Sequence, residues 1–499
     1  MSHDLFKNTQ IPHYVEKTIN LLENAGFEAY LVGGCVRDLI LNNTPKDWDI
    51  TTNATPEQIV ALFPKTVYEN TFGTVAVVWE YEEKEVKKPD IVEVTPFRTE
   101  GKYTDNRHPD SVVFTQDIAE DIKRRDFTVN AMAYRSKTGE LVDLFDGIKD
   151  IKDKIIRAVG NPDERFQEDA LRMLRAIRFS TVLGFTIAQE TLEAVFHNHD
   201  LLEHVSKERI RDEFIKIIES DNPSLGIVLL EKTQLLAHII PELREGIDCE
   251  QGGAHKYPVF EHLLGALDHA AKKGFSTELR LAALFHDIGK PRTRRPGIKK
   301  AYTFYGHEVV GAHMTKKILE RLRFKKDISD LIVQLVRSHM FFSDTEQITL
   351  SAVRRIITNV GKDHIWELMD IRECDRVGMN KTEAPYRLRK YHAMIEECLR
   401  DPISVKQLAI DGSYLMHTLG IKAGPRMGWI LNALLEEVLD DPSKNTVEIL
   451  SARVKELELL DDTTLKELGE KAKEKKEEIE KEEVGKLHQK HGVNNKKTP

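Results

Sequence analysis

The sequence predicts an α+β fold, in which a head of mixed strands and helices precedes an all-α body. Up to about residue 142, short runs alternate polar and apolar residues, as in Asp47–Thr51, Thr74–Tyr81 and Asp90–Arg98, and helical segments lie between them. From about residue 151 this alternation stops, and apolar residues recur at helical spacing. We therefore expect a small mixed sheet near the start of the chain and helices in the rest.

Apolar runs and glycines predict the order of elements in the head. Ala29–Val32 is a short apolar run that stops at Gly33 and Gly34, which indicates a strand ending in a tight turn. Val36–Leu41 then has the pattern of an opening helix. Residues 82–89 are charged and end in a proline, so we expect them to form the solvated tip of a hairpin.

The rest of the chain is predicted to be a succession of amphipathic helices. The clearest are Asp169–Val182, Lys207–Glu219, Thr277–Phe285, Gly311–Arg323, Ile328–His339 and Arg426–Leu439. A chain of 499 residues is long enough for several domains. We divide it into a head, a helical neck, a helical middle domain, a C-terminal helical region and a charged, flexible tail: 1–150, 151–245, 246–380, 381–465 and 466–499.

Composition excludes several classes of protein. Lys and Arg number 73 against 82 Asp and Glu, so the net charge of −9 requires any anionic partner to be held by a local basic patch. No apolar stretch approaches about 18 residues, which predicts no membrane span, and the start of the chain lacks a secretory signal pattern. The cysteines are scattered without a C-x-x-C pair, which favours a cytoplasmic location. They are Cys35, Cys249, Cys374 and Cys398.

The D-x-D of Asp47 and Asp49 is the strongest candidate for a metal site. In a strand, residues two apart point to the same face, so both carboxylates would converge. Their repulsion is relieved by a divalent cation, and oxygen ligands suit Mg²⁺. Glu93 can add a third carboxylate, because its neighbours Val92 and Val94 are expected to face the core. Such a set could activate a hydroxyl for in-line attack on an α-phosphate.

A glycine turn upstream strengthens this otherwise weak motif. Gly33 and Gly34 open a predicted helix, and such a turn presents backbone N–H groups to phosphate. Arg37, in the first turn of that helix, adds a positive charge. Taken alone, the glycine turn could equally serve only to reverse the chain.

These motifs together identify a family resemblance. Gly33-Gly34-x-Val36-Arg37-Asp38, followed by Asp47-x-Asp49, resembles the head of the class II tRNA nucleotidyltransferase and bacterial poly(A) polymerase family. Three further motifs match it in order, over about the first 230 residues: Phe97–Tyr103 with Asp105–Pro109, Arg124–Ala131 and Glu168–Phe179. The resemblance implies a polymerase-β-like nucleotidyltransferase head that uses CTP, ATP and Mg²⁺, with tRNA as the partner.

The resemblance also implies roles for individual residues. The catalytic carboxylates would be Asp47, Asp49 and Glu93, with Mg²⁺ held by the first two. Residues 97–109 look like the family's flexible loop. The nucleotide-binding residues would be Gly33, Gly34, Arg37, Arg125, Asp126, Asn130, Asp169, Arg172, Arg175 and Arg178.

Asp169 and Arg172 can also be interpreted physically. They are three residues apart, which would make them neighbours on one helical face. Aspartate accepts from an exocyclic amino group and arginine donates to an adjacent ring acceptor, a pattern that cytosine and adenine complement and uracil and guanine do not. This pair could therefore choose C and A without a template. The alternative is an amphipathic helix with salt bridges within it.

The middle of the chain resembles the HD phosphohydrolase superfamily. The matching residues are His262, His286 with Asp287, His307 and His339. The resemblance implies that His262, His286, Asp287 and Asp375 hold a divalent transition metal, whereas His307 and His339 would hold a second metal or a substrate phosphate. Three interpretations stay open for this domain, namely an active hydrolase, an inactive remnant that still packs, and an RNA-binding helical domain.

Two further predictions concern basic and histidine residues nearby. The run Lys290–Arg295 suits a phosphate or an RNA backbone. His13, His197, His199 and His204 lack partners at ligand spacing, so we expect them to be structural or surface residues.

The C-terminal helices extend the resemblance. Gly424-Pro425-Arg426 before a long apolar helix resembles the helical body that grips the tRNA elbow, with Arg426 placed for phosphate. Ordinary helix packing after a turn explains the pattern equally well.

The leading hypothesis for function is addition or repair of the CCA end of tRNA, with HD-domain hydrolysis as an additional activity. The alternatives are a poly(A) polymerase, an enzyme adding only CC or only A, and an HD phosphohydrolase whose head merely binds nucleotide.

Overall fold

The computed structural model describes residues 11–68, 73–83, 86–101, 111–252, 255–297, 301–340, 349–377, 386–400, 405 and 408–491. The chain forms two compact units. The first comprises Met1–Met340 and Met369–Lys381, and the second comprises Phe341–Leu368 and Thr382–Pro499.

The first unit begins with the predicted mixed head. Its strands are β1 Ala29–Val32, β2 Asp49–Thr52, β3 Thr66–Tyr68, β4 Val75–Glu83, β5 Val86–Pro96, β6 Arg98–Glu100, β7 Val112–Phe114, β8 Met132–Arg135 and β9 Glu140–Asp143. In the described part of the chain, seven of them form one sheet in the order β3-β4-β5-β2-β1-β8-β9, and β6 pairs with β7. The β2–β5 pair is parallel, and the pairs β1–β2, β1–β8, β3–β4, β4–β5 and β8–β9 are antiparallel.

Helices flank this sheet. They are α1 His13–Asn24, α2 Gly34–Ile40, α3 Pro56–Leu62, α4 Ile118–Lys123, a 3₁₀ helix Thr128–Asn130 and α5 Gly147–Asp153. The alternation that predicted β4 and β5 buries one face of each strand, since Val75, Val77, Val92 and Val94 are fully buried.

Two predictions for the head are wrong in detail. The hairpin tip predicted at residues 82–89 is shorter, because β4 and β5 stay paired up to Glu83 and Val86. Backbone pairing does not require apolar side chains, so a run of charged residues can belong to paired strands and does not by itself indicate where the turn lies. The predicted strand Asp47–Thr51 begins only at Asp49, so Asp47 lies in the bend before β2.

The neck is helical, with one small strand pair. Its elements are β10 Ile155–Ile156, α6 Pro162–Glu168, α7 Leu171–Leu183, β11 Thr186–Ile187, α8 Gln189–His197, a 3₁₀ helix His199–His204, α9 Lys207–Ile218, α10 Pro223–Lys232, α11 Leu236–Ile239 and α12 Pro241–Arg244. The prediction that strands cease after residue 151 is therefore slightly wrong, since β10 and β11 pair in parallel.

The remaining elements confirm the predicted helical body. They are α13 Val259–Lys272, α14 Thr277–Phe285, α15 Lys290–Thr293, β12 Arg295–Pro296, β13 Tyr302–Thr303, α16 His307–Arg321, α17 Lys326–Ser338, α18 Leu350–Val360, α19 Ile365–Asp375, α20 Tyr386–Leu399, α21 Gly412–His417, α22 Pro425–Asp440, a 3₁₀ helix Pro442–Lys444, α23 Val447–Glu458 and α24 Asp462–Lys490. The division between the units falls within α19.

The second unit has its own apolar core, to which the first turn of the last helix contributes. Leu434, Leu450 and Leu465 lie in one buried cluster, and Leu465 belongs to α24. The charged tail, predicted from its Lys and Glu content as a solvated helix that fades into disorder, is helical as far as Lys490, and residues 492–499 lie outside the described residues. Of the helices in the described ranges, none combines the length and apolarity needed to cross a membrane.

Candidate active site and HD metal cluster

The head brings three acidic side chains to one end of the sheet. Parallel pairing sets Asp49 beside Glu93, and Glu93 is exposed while Val92 and Val94 on either side are buried. Burial, together with the charges of Glu93 and Asp47, raises the pKa of Asp49 to about 6, against the lowering effect of Arg125. Mutual repulsion of this kind is relieved by a divalent cation, so the predicted carboxylate set fits a metal.

The glycine turn lies directly against these carboxylates. Gly33 has φ +78°, a left-handed conformation that favours glycine. A Cβ on Gly33 would lie 3.1 Å from Arg125 Nη1 and 3.9 Å from Asp49 Oδ2. Gly33 therefore lets the backbone approach both the acidic and the basic part of the site.

Two predicted phosphate-binding arginines lie close to this turn. Arg37 is buried, and its Nη1 donates to Asn130 Oδ1 at 2.7 Å. Arg125 Nη2 donates to Asp121 Oδ2 at 3.2 Å, while its buried Nε has no hydrogen-bond partner among the described residues. A buried guanidinium donor without a partner is costly, so an anionic ligand at this position would stabilise it.

Two other arginines that were predicted to bind nucleotide form ion pairs with acidic residues of the first unit. Arg175 Nε donates to Asp126 Oδ2 at 2.7 Å. Burial alone would raise the pKa of Asp126, but Arg175 and Arg172 outweigh it and lower that pKa. Arg178 Nε lies 2.8 Å from Glu213 Oε2, and burial lowers the pKa of Arg178 to about 10.

The geometry predicted for the base-selecting pair is wrong. Asp169 has an extended backbone, φ −140°, between α6 and α7, so it does not share a helical face with Arg172. Its carboxylate accepts from Arg209 at 2.8 and 3.3 Å, and Arg172 Nη1 donates to Glu168 Oε2 at 2.5 Å. Between α6 and α7, the Asp169 Oδ1 accepts from the Leu171 N–H at 3.1 Å, a local side-chain-to-backbone bond that competes with continuation of the helix.

The sequence did not assign Arg209 and Glu213 to the site, although both touch predicted nucleotide-binding residues. They lie one turn apart on α9, which was visible as a charged helical face. Their partners, Asp169 for Arg209 and Arg178 for Glu213, could not be inferred from the sequence, because these are tertiary contacts between residues far apart in the chain. Most of the predicted loop, namely its residues 102–109, lies outside the described residues.

The HD motif forms a compact buried cluster. Ligand atoms of His262, His286, Asp287 and Asp375 all lie within 4.8 Å of one another. His262 Nε2 is 3.2 Å from His286 Nε2 and 3.3 Å from Asp375 Oδ1. Burial alone would lower the pKa of His286, but Asp287 and Asp375 raise it to about 10. The carboxylates thus favour positive charge at this site, which a metal ion can supply in place of protons.

A second group shares Asp287. His307 Nε2 and His339 Nε2 lie 3.3 Å apart, at 3.2 and 3.6 Å from Asp287 Oδ1. Nδ1 of His286, His307 and His339 lies 2.7–2.8 Å from a backbone carbonyl oxygen. Donation from Nδ1 leaves Nε2 free to act as a ligand, the arrangement typical of metal-binding histidines.

The basic run beside the cluster differs from its prediction. Lys290 is buried, with Nζ 2.5 Å from Asp287 Oδ2 and donating to Gln251 Oε1 at 2.6 Å, so it belongs to the cluster and not to an exposed phosphate patch. The sequence also missed His255, whose ring packs edge-on against His262 at 5.1 Å.

Comparison with known proteins matches these parts in order. A model of the poly A polymerase head domain matches residues 29–157, a model described as the probable RNA and SrmB-binding site of polymerase A matches residues 184–247, and the HD domain model matches residues 259–379.

Curated relatives and solved structures agree with these matches. The CCA-adding enzyme of Limosilactobacillus reuteri (strain DSM 20016) is 33% identical over 456 residues, covering 90% of this chain and 99% of that protein. That of Lactobacillus helveticus (strain DPC 4571) is 50% identical over 200 residues, covering 40% of this chain and 48% of its own length.

Among solved structures, the CCA-adding enzyme of Bacillus stearothermophilus in complex with CTP has a TM-score of 0.58 at 28% identity, covering 90% of this chain and 98% of that one. The near-complete coverage of the L. reuteri protein decides the family. The chain belongs to the family of CCA-adding enzymes.

Proposed function

We propose that this protein adds or repairs the CCA terminus of tRNA, using CTP and ATP with Mg²⁺. The observation that carries the proposal is the set of acidic side chains around Asp49, which lies beside Arg125 and the Gly33 turn. Negative groups for a metal and a basic group for phosphates are what phosphoryl transfer requires. Since tRNA is the proposed substrate, we expect the protein to work in the cytoplasm.

Each part of the site has a task in this reaction. The RNA 3′-hydroxyl oxygen attacks the α-phosphorus of the nucleotide, and the bond to pyrophosphate breaks. Asp47 and Asp49 would hold Mg²⁺, which supplies charge stabilisation at the phosphates. Glu93 would assist the hydroxyl attack, while Arg37 and Arg125 hold the triphosphate, in the region that also contains Gly34, Asp126 and Asn130.

Base choice is proposed to use Asp169 and Arg172. In the structure their side chains are engaged with Arg209 and Glu168. The hydrogen-bonding edge of a cytosine or adenine would therefore replace or extend these ion pairs, which already orient Asp169 and Arg172. Arg175 and Arg178 would contact the phosphates of the nucleotide. Uracil and guanine would leave both groups mispaired, at a cost of about 1–3 kcal/mol each.

Extension of three transcripts tests this function. A tRNA lacking CCA and its CC- and CCA-ended versions would be supplied with CTP, ATP, both, or UTP plus GTP. We expect growth by C, C and A that stops at the mature end. Addition of CC only, of a single A, or of long A tails would replace the proposal with a partial enzyme or a poly(A) polymerase.

The buried HD groups favour a second activity, a phosphohydrolase dependent on a divalent transition metal. His262, His286, Asp287 and Asp375 offer nitrogen and oxygen ligands at one point, which suits such an ion, and His307 with His339 would hold a second ion or the substrate phosphate. His286→Ala should abolish phosphate release while nucleotide addition persists, and His269→Ala, on α13, is the matched control. Equal phosphate release by both variants would contradict this activity.

A further inference from the structure

A third group of possible metal ligands lies in the neck, outside both sites described above. His199 and Asp200 begin the 3₁₀ helix, and His238 lies on α11. His199 Nδ1 is 3.0 Å from His238 Nε2 and 3.2 Å from Asp200 Oδ1, and the same Asp200 oxygen is 3.5 Å from His238 Nε2. Three atoms, one from each residue, therefore form a nearly equilateral triangle.

The size of this triangle matches a metal coordination sphere. Bonds of about 2.0–2.1 Å place neighbouring ligand atoms of a tetrahedral ion about 3.3 Å apart. In the HD cluster, His262 Nε2 lies 3.2–3.4 Å from the ligand atoms of His286, Asp375 and Asp287. The neck triangle has the same spacing as that motif-supported group, with the same ligand chemistry.

A neighbouring carboxylate orients one of the ligands. Glu203 Oε1 lies 3.3 Å from His238 Nδ1, on the side of the ring opposite to the triangle. A proton on Nδ1 directed at Glu203 leaves the lone pair of Nε2 facing His199 and Asp200. A carboxylate behind a ligating imidazole is a recurrent feature of metal sites, because it fixes the tautomer and strengthens the ligand.

We propose that His199, Asp200 and His238 bind a divalent transition-metal ion of the zinc class. The His238 side chain is 11% exposed and that of Asp200 is 82% exposed, so the site is anchored on one side and open to a water molecule on the other. The ion links two segments 39 residues apart in sequence, and thereby ties the 3₁₀ helix to α11. This site does not depend on the proposed function.

Counting tightly bound zinc tests the proposal. The full chain and its variants would be loaded with Zn²⁺ in the presence of excess Mg²⁺, freed of loose metal by gel filtration, and analysed by elemental mass spectrometry. The HD cluster contributes the same amount to every sample. We expect His238→Ala to hold one equivalent less than the unaltered chain, and the matched control His204→Ala, an exposed histidine of the same 3₁₀ helix, to hold as much as the unaltered chain.

Two further variants guard against misfolding. Asp200→Asn changes a largely exposed side chain and should also lose the equivalent. Glu203→Ala leaves the three ligands in place and should weaken zinc binding about 10- to 100-fold. Equal zinc content in the unaltered chain, His238→Ala and Asp200→Asn would overturn the proposal and leave a hydrogen-bonded histidine pair.

Discussion

The head site and the HD cluster differ in how much of a metal site the chain supplies by itself. In the head, Asp49 is half-buried and Glu93 is exposed, and the three carboxylates are not among the groups of described residues whose ligand atoms all lie within 4.8 Å. In the HD cluster, His286 and Asp287 are both fully buried, with ligand atoms in contact. The first site is open and the second is preformed.

This difference follows from the chemistry proposed for each site. Mg²⁺ keeps several waters and takes oxygens from substrate phosphates, so a few carboxylates suffice until the nucleotide arrives. A transition metal held by imidazoles has most of its ligands from the protein, and buried ligands must be positioned in advance. An open site thus suits a substrate that brings its own ligands, and a closed one suits a resident ion.

The largest effect should come from the acid at the centre of the head site. Asp49→Ala should lower nucleotide addition about 10³-fold or more, because a metal ligand supports several kcal/mol of transition-state stabilisation. Phosphate release by the HD domain should be unchanged. Steady-state extension assays measure the first and phosphate detection the second. Asp90→Ala, on the same strand as Glu93, is the control, and equal activity of the two variants would contradict the assignment.

Removing bound metal and adding back single ions should distinguish the two sites, because a different ion should restore the activity of each. After chelation both activities should be lost. Mg²⁺ alone should restore nucleotide addition, whereas phosphate release should return only with a transition metal such as Ni²⁺, Co²⁺ or Zn²⁺, because imidazole ligands favour those ions. Parallel assays with each ion check this. Recovery of phosphate release with Mg²⁺ alone would remove the contrast between the sites.

The sequence predicted secondary structure and side-chain facing well wherever these depend on the spacing of nearby apolar residues. Glu93 between two core valines, and the helices around residues 207–219 and 277–285, follow from the period of apolar residues and lie where they were expected. The residues of the HD cluster were predicted to lie together because a motif marks them, although His262 and Asp375 are far apart in sequence.

The sequence did not predict contacts between side chains that are far apart in the chain and belong to no recognisable motif. His199 had no neighbour at ligand spacing, yet the fold brings His238 to it. Asp169 was placed in a helix because the local composition allows one. The Arg209 contact belongs to the tertiary structure, and the local bond from the Leu171 N–H to Asp169 depends on a polar side chain; the period of apolar residues reports neither.

A smaller effect is expected from changing a residue that is proposed to select the base. Arg172→Ala should reduce the preference for C and A over U and G about 10- to 100-fold, since a lost hydrogen bond to the correct base costs about 1–3 kcal/mol. Competition between nucleotides at fixed tRNA concentration measures this preference. Arg211→Ala, on α9 and paired with Asp212, is the control. Unchanged selectivity with a lower rate would show that Arg172 positions the helix and does not select the base.

The smallest effect concerns Arg426, for which sequence and structure suggest different roles. Its Nη2 donates to the carbonyls of Glu458 and Leu460 at 2.8 and 2.7 Å, and its Nη1 pairs with Asp462. These contacts join the start of α22 to the turn between α23 and α24. Arg426→Ala should therefore lower the free energy of unfolding by about 1–3 kcal/mol, because two carbonyl acceptors lose their donor.

The same variant decides between that structural role and the phosphate contact predicted from the sequence. Chemical denaturation gives the stability, and filter binding gives the affinity for tRNA. Lys455→Ala removes an exposed positive charge from α23 and controls for the general effect of charge. If Arg426 is structural, affinity should change no more than in the control while stability falls. A loss of affinity at unchanged stability would instead place Arg426 on the RNA backbone, since each phosphate contact contributes mainly through salt-dependent electrostatics.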